Sequence, residues 1–480
     1  MPLEAKFSDT RLSFHRTPGR VSTIHRRTSC RSVANQNQTN YSSHGFNLQP
    51  FKRGIRMQAP PAAPAARSIR AADSPAAPAT LPRSAVALFA CASGLSVANV
   101  YYAQPLLDAL AADFAIGRAA IGGVVTTTQI GCALALLLLV PLGDLVDRRR
   151  LMLAQSLALA ATLTVVGFAP TATVLLAGML GAGLLGTAMT QGLISYAASA
   201  AAAHERGRVV GAAQGGVVVG LLLARVLAGV VSDAAGWRSV YFLSAATMLV
   251  LAALLARKLP AVAPAPSRIG YPRLIASLFT LLRDERVLQI RGTIALLMFA
   301  AFNIFWNALV LPLSAPPYAF SHTAIGAFGL VGALGALAAA RAGHWADRGF
   351  GQPTSAAALA LLLASWLPIA FMPASLWALA LGVVLLDVGG QAIHVTNQSM
   401  IFRARPDAHS RLVAVYMLFY SVGSGLGAIA STAVYAAAGW RGVCMLGAAT
   451  SAAAFAFWAA TARLMPSEPS PENTANGRPQ

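Results

Sequence analysis

Long apolar runs dominate this sequence and restrict what the chain can fold into. Stretches of about 20 residues with almost no charge recur from about Ala85 to Ala462, and each matches the length that an α-helix needs to cross a hydrocarbon layer about 30 Å thick. Hydrophobic residues make up 56% of the chain and charged residues only 11%, which leaves too much apolar surface for one water-exposed domain. We therefore predict an all-α polytopic membrane protein with twelve transmembrane helices. The expected spans are 85–107, 120–142, 151–169, 172–200, 209–231, 238–258, 290–313, 323–343, 354–372, 376–401, 410–435 and 441–463.

Positive charge is distributed unevenly between the connections that join these helices. The net charge is +20, which alone would be compatible with a nucleic-acid binder. If the amino terminus is cytoplasmic, however, the short outside connections contain only Arg118, Arg238 and Arg441. The inside connections contain Arg148, Arg149, Arg150, Arg206, Arg208, a dense set from Arg257 to Arg291, Arg341, Arg348, Arg403, Arg405 and Arg411. This asymmetry follows the positive-inside rule, so we predict a multi-pass protein of the cell inner membrane with both termini cytoplasmic and no nucleic-acid partner.

The two ends of the chain differ in composition from the apolar runs. Residues 1–83 are rich in Arg, Ser, Pro and Ala and poor in acids, and we predict that this basic extension is disordered, as is the tail at 464–480. The extension is compatible with an organellar transit peptide, or with a start codon placed upstream of a true start near Met57. The four cysteines are scattered and show neither a disulfide framework nor metal-ligand spacing.

Part of the sequence occurs twice. VPLGDLVDRRR ends one apolar run and RAGHWADRGFG ends another, so that two charged turns correspond at an offset of 200 positions. Later pairs keep the same order at an offset of 203: Arg208 with Arg411, Gly220 with Gly423, and Gly236-Trp237-Arg238 with Gly439-Trp440-Arg441. We therefore predict two six-helix halves, at 84–258 and 290–463, joined by a basic cytoplasmic linker at 259–289. Parallel repeats of this kind form alternating-access carriers, with the site between halves that move against each other.

The residues of the charged turns also carry a family resemblance. GDLVDRRR resembles the loop between helices two and three of the major facilitator superfamily, and GHWADRGFG resembles its weaker copy between helices eight and nine. ERGRVVG, at 205–211, is similar to the family's entry to helix five. NVYYAQPLL and DVGGQAIHVTNQS are similar to the bacterial twelve-helix efflux branch, whose members are drug:proton antiporters. The resemblance covers about residues 84–463 and implies the major facilitator fold and proton-coupled efflux of small organic molecules.

Three positions depart from the family pattern. Arg150 replaces the second glycine of the first turn, and helix four, VLLAGMLGAGLLGTAMTQG, lacks the arginine that supports the loop aspartate in the family. In helix five, Ala224-Arg225 stands where antiporters have a Gly-Pro pair. These departures bear on the antiporter assignment and leave the carrier assignment intact.

The repeated turns have a gating role in the family. A glycine at a helix end permits close approach of a neighbouring helix, and an aspartate one turn later can face the positive end of another helix dipole. By resemblance, Asp147 rests against the start of helix eleven in the opposite half and holds the inside gate shut. A plain topological anchor, in which the arginines meet anionic headgroups, is the alternative. The motif residues are Gly143, Asp147, Arg148, Gly343, Asp347 and Arg348.

Charged residues inside the predicted membrane region mark a candidate coupling site. By these spans Asp387 is the only acid deep inside a helix and Arg225 the only deep cation, and a charge at the bilayer centre costs about 2.5–3.5 kcal/mol on insertion scales. Asp387, Gln391, His394 and Gln398 form one polar stripe on helix ten. We predict that Asp387 couples protons to transport with Arg225 as its partner and His394 as a relay member. The alternatives are a permanent pair that braces the halves and a histidine that is simply hydrogen-bonded.

Polar residues on helices one, four, seven and ten are the candidate substrate contacts, because the resemblance implies that these helices line the central cavity. Trp306 and Tyr102 are suited to stack on a flat or amphipathic solute, while the amides supply hydrogen bonds. The alternative for each residue is helix-to-helix bonding or interfacial anchoring. The candidates are Asn99, Tyr102, Gln104, Gln191, Asn303, Trp306 and Gln391.

The sequence contains no phosphate loop, zinc spacing or nucleophile constellation, so we expect neither an enzyme nor a bound metal or cofactor. Without a recognisable nucleotide-binding domain, the available energy source is an ion gradient, worth about 2.3 kcal/mol per charge per 100 mV. We therefore predict a monomeric, proton-coupled exporter of small organic solutes in the lipid bilayer. An uptake symporter or uniporter on the same fold, and a membrane receptor or scaffold that has lost transport, are the alternatives.

Overall fold

The apolar runs of the sequence form helices throughout the described chain. The computed structural model describes residues 81–143, 145–202, 204–259, 270–404 and 409–465, with the backbone alone at 334, 336–340, 409 and 410. Regular structure within these ranges is helical and includes no strand, as expected where each backbone group must find its partner within its own segment. The disorder predicted for 1–83 and 464–480 concerns residues that lie almost entirely outside the described ranges.

The described residues form seventeen α-helices, several of which continue one another with only a short 3₁₀ or π-helical junction. Ten of the resulting stretches are long and apolar enough to cross a membrane. The helices are α1 (Arg83–Tyr101), α2 (Leu107–Asp113), α3 (Gly123–Leu134), α4 (Val140–Leu142), α5 (Arg148–Gly167), α6 (Ala172–Ala200), α7 (Arg206–Ala235), α8 (Trp237–Lys258), α9 (Tyr271–Asp284), α10 (Arg286–Ala308), α11 (Val310–Ser314), α12 (His322–Val331), α13 (Ala333–Trp345), α14 (Gly351–Ala364), α15 (Trp366–Ala370), α16 (Leu376–Ala404) and α17 (His409–Thr461).

Two glycines produce sharp changes of direction at equivalent places in the repeat. Gly236 separates α7 from α8 with φ 81°, and Gly439 interrupts α17 with φ 61°. Both precede a Trp-Arg pair, and a positive φ is readily available only to glycine. The 53 residues of α17 would extend about 80 Å if straight, which is more than twice the thickness of a bilayer core of about 30 Å.

Helix packing repeats in the same way around a second pair of glycines. At Gly220, α7 approaches α1 so closely that an added Cβ would lie 2.2 Å from the carbonyl oxygen of Gly94. At Gly423, α17 approaches α10, and an added Cβ would lie 2.1 Å from the carbonyl oxygen of Leu296. Small residues at helix interfaces allow such backbone contact. The pairing of Gly220 with Gly423 in the sequence therefore corresponds to matching helix contacts.

Two further contacts join the first helices to the later ones. α3 packs against α17, where Thr126 Oγ1 donates to the carbonyl oxygen of Gly425 over 2.8 Å. α7 packs against α12, where an added Cβ at Gly229 would lie 2.3 Å from the carbonyl oxygen of His322. The two groups of helices thus meet along α3–α17 and α7–α12.

Arginines distinguish the two ends of the helix bundle. The helix junctions at Arg118, Arg238 and Arg441 form what we call the arginine-poor end, and the junctions at Arg148 and Arg206 belong to the arginine-rich end. The segment predicted as a linker lies at the arginine-rich end and contains the helix α9, while residues 260–269 lie outside the described chain.

The outer surface of the bundle is apolar. Large hydrophobic side chains are exposed there, including Trp377 at 87% and Phe168 at 72%. A soluble monomer seldom leaves so much large apolar surface uncovered, and this surface therefore fits contact with lipid.

Candidate functional site

Arg225 lies at the centre of a buried polar cluster. It belongs to α7 and is only 3% exposed. Arg225 Nε donates to Gln104 Oε1 over 3.0 Å, and Gln104 Nε2 donates in turn to Asn303 Oδ1 over 3.3 Å. Asn303 Nδ2 donates to Ser424 Oγ over 2.9 Å. The network connects α7 and the turn after α1 with α10 and α17, which belong to the later part of the chain.

Two aromatic rings flank the Arg225 guanidinium. Its central carbon lies 4.2 Å from the centre of the Trp306 ring and 5.6 Å from that of Tyr101. A desolvated cation–π contact contributes about 2 kcal/mol. The Tyr101 hydroxyl hydrogen-bonds to that of Tyr420 on α17. Aromatic faces and one amide oxygen therefore hold this buried cation.

Asp387 is the acidic member of the cluster. Its side chain is buried on α16, with 4% exposed, and it interacts electrostatically with Arg225. Gly332 gives it room, since an added Cβ there would lie 2.3 Å from Asp387 Oδ2. Trp306 faces the Asp387 carboxyl, but Asp387 Oδ2, Arg225 Nη2 and Trp306 Nε1 meet no partner at hydrogen-bonding distance and angle within the described part of the chain. The two predicted charges thus interact through their electric fields without a direct hydrogen bond, and neither has its hydrogen-bonding capacity filled.

A small cavity lies beside the cluster. It encloses about 10 Å³, roughly the space of one water molecule. Its lining combines the polar side chains of Gln104, Arg225 and Trp306 with apolar groups of Leu309, Val310 and Ile325. Two unfilled donors, Arg225 Nη2 and Trp306 Nε1, belong to residues of this lining. The cavity offers donors and apolar walls but is closed too tightly in this conformation for an organic molecule.

Two predicted substrate contacts lie elsewhere. The Asn99 side chain is fully buried, and its Oδ1 accepts from Ser244 Oγ of α8 over 2.6 Å. Its Nδ2 donates to the carbonyl oxygen of Leu95 over 2.8 Å. Tyr102 is buried near the same serine. These two residues fasten α1 to α8, which is the helix-to-helix role that the sequence left open as the alternative.

The remaining predicted residues lie on α6 and α16. Gln191 and Gln391 are partly buried. His394 Nδ1 lies 3.0 Å from the Tyr416 hydroxyl, and its Nε2 lies 3.3 Å from Gln398 Nε2. The structure therefore gives His394 hydrogen-bonding neighbours of its own, two helical turns from Asp387, and its role as a relay member stays a prediction.

Arg291 is a second buried cation. It is fully buried on α10, and its Nη1 donates to Ser355 Oγ over 2.8 Å and to Asn397 Oδ1 over 3.5 Å. The sequence predicted Arg225 as the only deep cation, and the structure adds a second cation that is buried in protein, five residues after the start of α10. The sequence grouped Arg291 with the cytoplasmic arginines because it lies at the edge of an apolar run. Polar side chains on α14 and α16 hydrogen-bond to the buried guanidinium and offset the cost of its burial. The sequence pattern of α10 gives no sign of these partners.

The first charged turn is folded onto its own neighbourhood. Arg148 Nε donates to the carbonyl oxygen of Gly143 over 3.0 Å, and its guanidinium hydrogen-bonds to Ser199 Oγ on α6. Asp147 Oδ1 accepts from the backbone N–H of Arg150 over 2.9 Å and so caps α5. The predicted contact of Asp147 with the start of helix eleven stays a prediction, because the side chains at 405–410 lie outside the described chain.

The second turn uses the opposite charge at an equivalent place. Asp347 Oδ1 accepts from Ser399 Oγ on α16 over 2.6 Å, and Ser399 lies 200 positions after Ser199. Arg348 is exposed. Gly343 lets α13 approach α16, since an added Cβ would lie 2.9 Å from Val395 Cγ1. Both turns therefore dock near the end of a long helix, one through an arginine and the other through an aspartate.

An apolar helical bundle with a buried charged cluster between its helices is typical of a multi-pass membrane transporter. The family model of the Major Facilitator Superfamily matches residues 88–348 and 292–480. The chain belongs to this superfamily.

Two bacterial relatives are consistent with this assignment. The chain is 38% identical over 373 residues to Uncharacterized transporter YgaY of Escherichia coli O157:H7, which covers 78% of this chain and 94% of the relative. It is 32% identical over 396 residues to Probable transporter SCO4007 of Streptomyces coelicolor, covering 82% and 90% respectively. Both relatives carry the name of transporter without a stated substrate.

Solved structures show the same fold. A bacterial homolog of the human lysosomal transporter Spinster, in an inward-facing and unoccupied conformation, aligns with a TM-score of 0.66 and 14% identity over 80% of this chain and 97% of its own. The nucleoside transporter NupG aligns with a TM-score of 0.60 and 14% identity over 78% and 99%. At this identity the likeness concerns the fold.

Proposed function

We propose that this transporter exports small organic solutes in exchange for protons by alternating access, as a monomer. The observation that carries the proposal is the buried pair of charges, Asp387 and Arg225, between helices from the two parts of the repeat. A buried ionisable group inside a membrane bundle is costly and is most often retained for function. The exchange direction rests on the sequence resemblance to the efflux branch.

The architecture that we propose for this cycle is two six-helix halves, 84–258 and 290–463, joined by the segment 259–289. It requires twelve crossings. α12 and α13 together would form one of them, and α17 would form two on either side of Gly439. The matched glycine contacts of α1–α7 and α10–α17 support this division. The halves would rock about the contacts α3–α17 and α7–α12.

For orientation, we propose that the protein lies in a bacterial inner membrane with its arginine-rich end on the cytoplasmic side. Both termini are then cytoplasmic. Cationic loops resist translocation, which supports this orientation. The two charged turns then lie on the cytoplasmic side. We propose that they brace α6 and α16 in the present conformation, and that Asp147 exchanges its cap on α5 for the start of α17 when this side closes.

Asp387 would carry the transported proton. When the carboxyl is ionised, the field of Arg225 stabilises it. When the carboxyl is protonated, Arg225 loses this countercharge and keeps Gln104 and the rings of Trp306 and Tyr101 as partners. Because the two states place different charge between the halves, protonation would change which conformation is favoured. A solute that enters the opened cavity would meet the unfilled donors of Arg225 and Trp306 and the apolar walls beside them.

Transport into sealed proteoliposomes under an imposed pH gradient tests this proposal. Asp387→Asn should abolish uphill movement while leaving exchange of solute across the membrane, because the neutral amide cannot shuttle a proton. Asp284→Asn, which alters an exposed carboxylate on α9, is the matched control and should behave as wild type. Uphill transport that survives Asp387→Asn would refute the coupling role.

The same vesicles separate the alternative functions. An exporter moves solute against the proton flow, and an uptake symporter moves solute with it. A uniporter is indifferent to the gradient, and a receptor or scaffold moves no solute.

A further inference from the structure

Three titratable side chains meet at the arginine-poor end of the bundle, away from Asp387. His322 Nε2 lies 3.0 Å from Asp108 Oδ1, and His322 Nδ1 lies 3.0 Å from Asp233 Oδ1. Their side chains are between 23% and 27% exposed, so that solvent reaches them. We call these residues the Asp108–His322–Asp233 cluster. It joins α2 and α7 to the first residue of α12.

Asp233 also binds the beginning of α12. Its carboxylate accepts from the backbone N–H groups of His322, over 3.1 Å, and Thr323, over 2.8 Å, and from the Thr323 hydroxyl over 2.6 Å. The first N–H groups of a helix have no partner within the helix, and a carboxylate there is stabilised further by the helix dipole. Gly229, one turn earlier on α7, allows the two helices to touch. The cluster therefore sits where α7 and α12 close upon each other.

Both ring nitrogens of His322 face carboxylate oxygens. A neutral imidazole donates from one nitrogen only, whereas the imidazolium donates from both, so the geometry suits the charged form. The hydrogen bond to Asp108 is the main reason that the pKa of His322 rises to about 9, and Asp233 acts in the same direction. Two other charges at this end, Arg238 on α8 and Asp113 on α2, are paired with each other.

We propose that the Asp108–His322–Asp233 cluster is a second proton-binding site, which holds the arginine-poor end closed while His322 is protonated and lets it open when the proton leaves. The inference rests on the alternating-access part of the proposed function and is independent of Asp387 and of the solute. In the open form His322 loses its carboxylates and returns toward the ordinary pKa of about 6.5.

The sign of the pH effect follows from these two states. The closed form binds the proton more tightly than the open form. The stabilisation that the proton gives to the closed form is therefore complete below about pH 6.5 and is lost as the pH rises through about 9. Between these values opening releases one proton, and the ratio of open to closed molecules should rise by at most about tenfold per pH unit. An acidic medium at this end would therefore favour closure.

Spin labels on the two helices measure the opening. With the native cysteines replaced by alanine, Ala234→Cys on α7 and Ala324→Cys on α12 place labels at exposed positions on either side of the contact. In purified, lipid-reconstituted protein the long-distance population should increase as the pH rises from about 6.5 to about 9. His344→Gln, at an exposed histidine on α13, is the matched control and should leave this profile unchanged.

Variants of the cluster test whether it causes the pH-dependent change in distance. His322→Gln keeps a polar side chain but cannot carry the charge, so the labels should report a pH-independent and more open population. Asp108→Asn should move the transition toward lower pH. A wild-type distance that does not change with pH, or a His322→Gln profile equal to that of wild type, overturns the proposal. Asp387→Asn should retain the pH-dependent distance change, which separates failure of this site from failure of the proposed coupling.

Discussion

The charges Arg225 and Asp387 should be energetically coupled, and a double-mutant cycle measures the coupling. The variants are Arg225→Met, Asp387→Asn and the double variant. Arg225→Met removes the hydrogen bond to Gln104 and the contact with the Trp306 ring at 4.2 Å, and it leaves the Asp387 carboxyl without its countercharge. The methionine keeps most of the volume of the arginine stem, so the change is mainly electrostatic.

The magnitude follows from the contacts that are lost. A hydrogen bond to a charged group contributes about 1.5–3 kcal/mol, and the desolvated cation–π contact about 2 kcal/mol. Part of this loss is offset, because the variant no longer has to remove a guanidinium from water when it folds. Removal of one partner from a buried charge pair costs about 3–5 kcal/mol, and we expect Arg225→Met to fall in this range. In the Asp387→Asn background the cost should fall by about 1–2 kcal/mol, since no uncompensated carboxylate remains.

Reversible unfolding in mixed micelles, followed by circular dichroism, gives the four free energies. The pair Arg238 and Asp113 is the control, because it is largely exposed and should show about 0–1 kcal/mol of coupling. If the Arg225 and Asp387 changes add within about 0.5 kcal/mol, the two groups do not act as a pair and our account of the site fails.

Three further predictions concern packing and pH. Gly216→Ala should lower the unfolding free energy by about 1–3 kcal/mol, because its Cβ would lie 2.0 Å from the carbonyl oxygen of Ala90. The control Gly215→Ala adds a Cβ that meets nothing within 4 Å, and it should be neutral or slightly stabilising. Equal effects of the two substitutions would contradict the helix contact. Gly332→Ala should reduce the rate of gradient-driven transport in vesicles at least about tenfold, because the added Cβ displaces the Asp387 carboxyl at a cost of about 1.4 kcal/mol. A wild-type rate in this variant would contradict the packing of Gly332 against Asp387. Thermal stability should decline as the pH rises through about 9, and a decline that persists in His322→Gln would assign it to another group.

Much of the helical framework could be predicted from the sequence, because lipid requires continuous apolar runs. Predicted spans such as 172–200 agree with α6 (Ala172–Ala200). The junctions are less predictable. Gly332 separates α12 from α13 within one predicted span, and the helix α9 forms inside a segment that the charge pattern described only as a basic linker.

The candidate site was predicted in part, and there is a physical reason why some of its residues could be found from the sequence and others could not. Asp387 and Arg225 could be found because an ionisable residue within an apolar run is conspicuous. Asn99 is an ordinary polar residue of a helix, and helical spacing does not tell whether such a side chain faces a cavity or a neighbouring helix. Arg291 was missed because the end of an apolar run looks the same whether the arginine turns toward the headgroups or inward.

The Asp108–His322–Asp233 cluster could not be predicted from local sequence. Its members lie at three helix ends, and the His322 ring lies 214 positions along the chain from its Asp108 partner. The available signal was the presence of acids and one histidine at junctions that are otherwise poor in charge. Only the packing of α7 against α12 shows that they meet.

The central claim is that two groups of helices alternately open the two ends of one bundle. Distances between α7 and the successive helices α12 and α13, measured at both ends, test it most directly. Labels at Ala234 and Ala324 report the arginine-poor end, and labels at Arg206 and Trp345, both exposed, report the arginine-rich end of α7 and α13. The account predicts that conditions which lengthen one distance shorten the other. Distances that lengthen together, or that stay fixed while solute is transported, would contradict it.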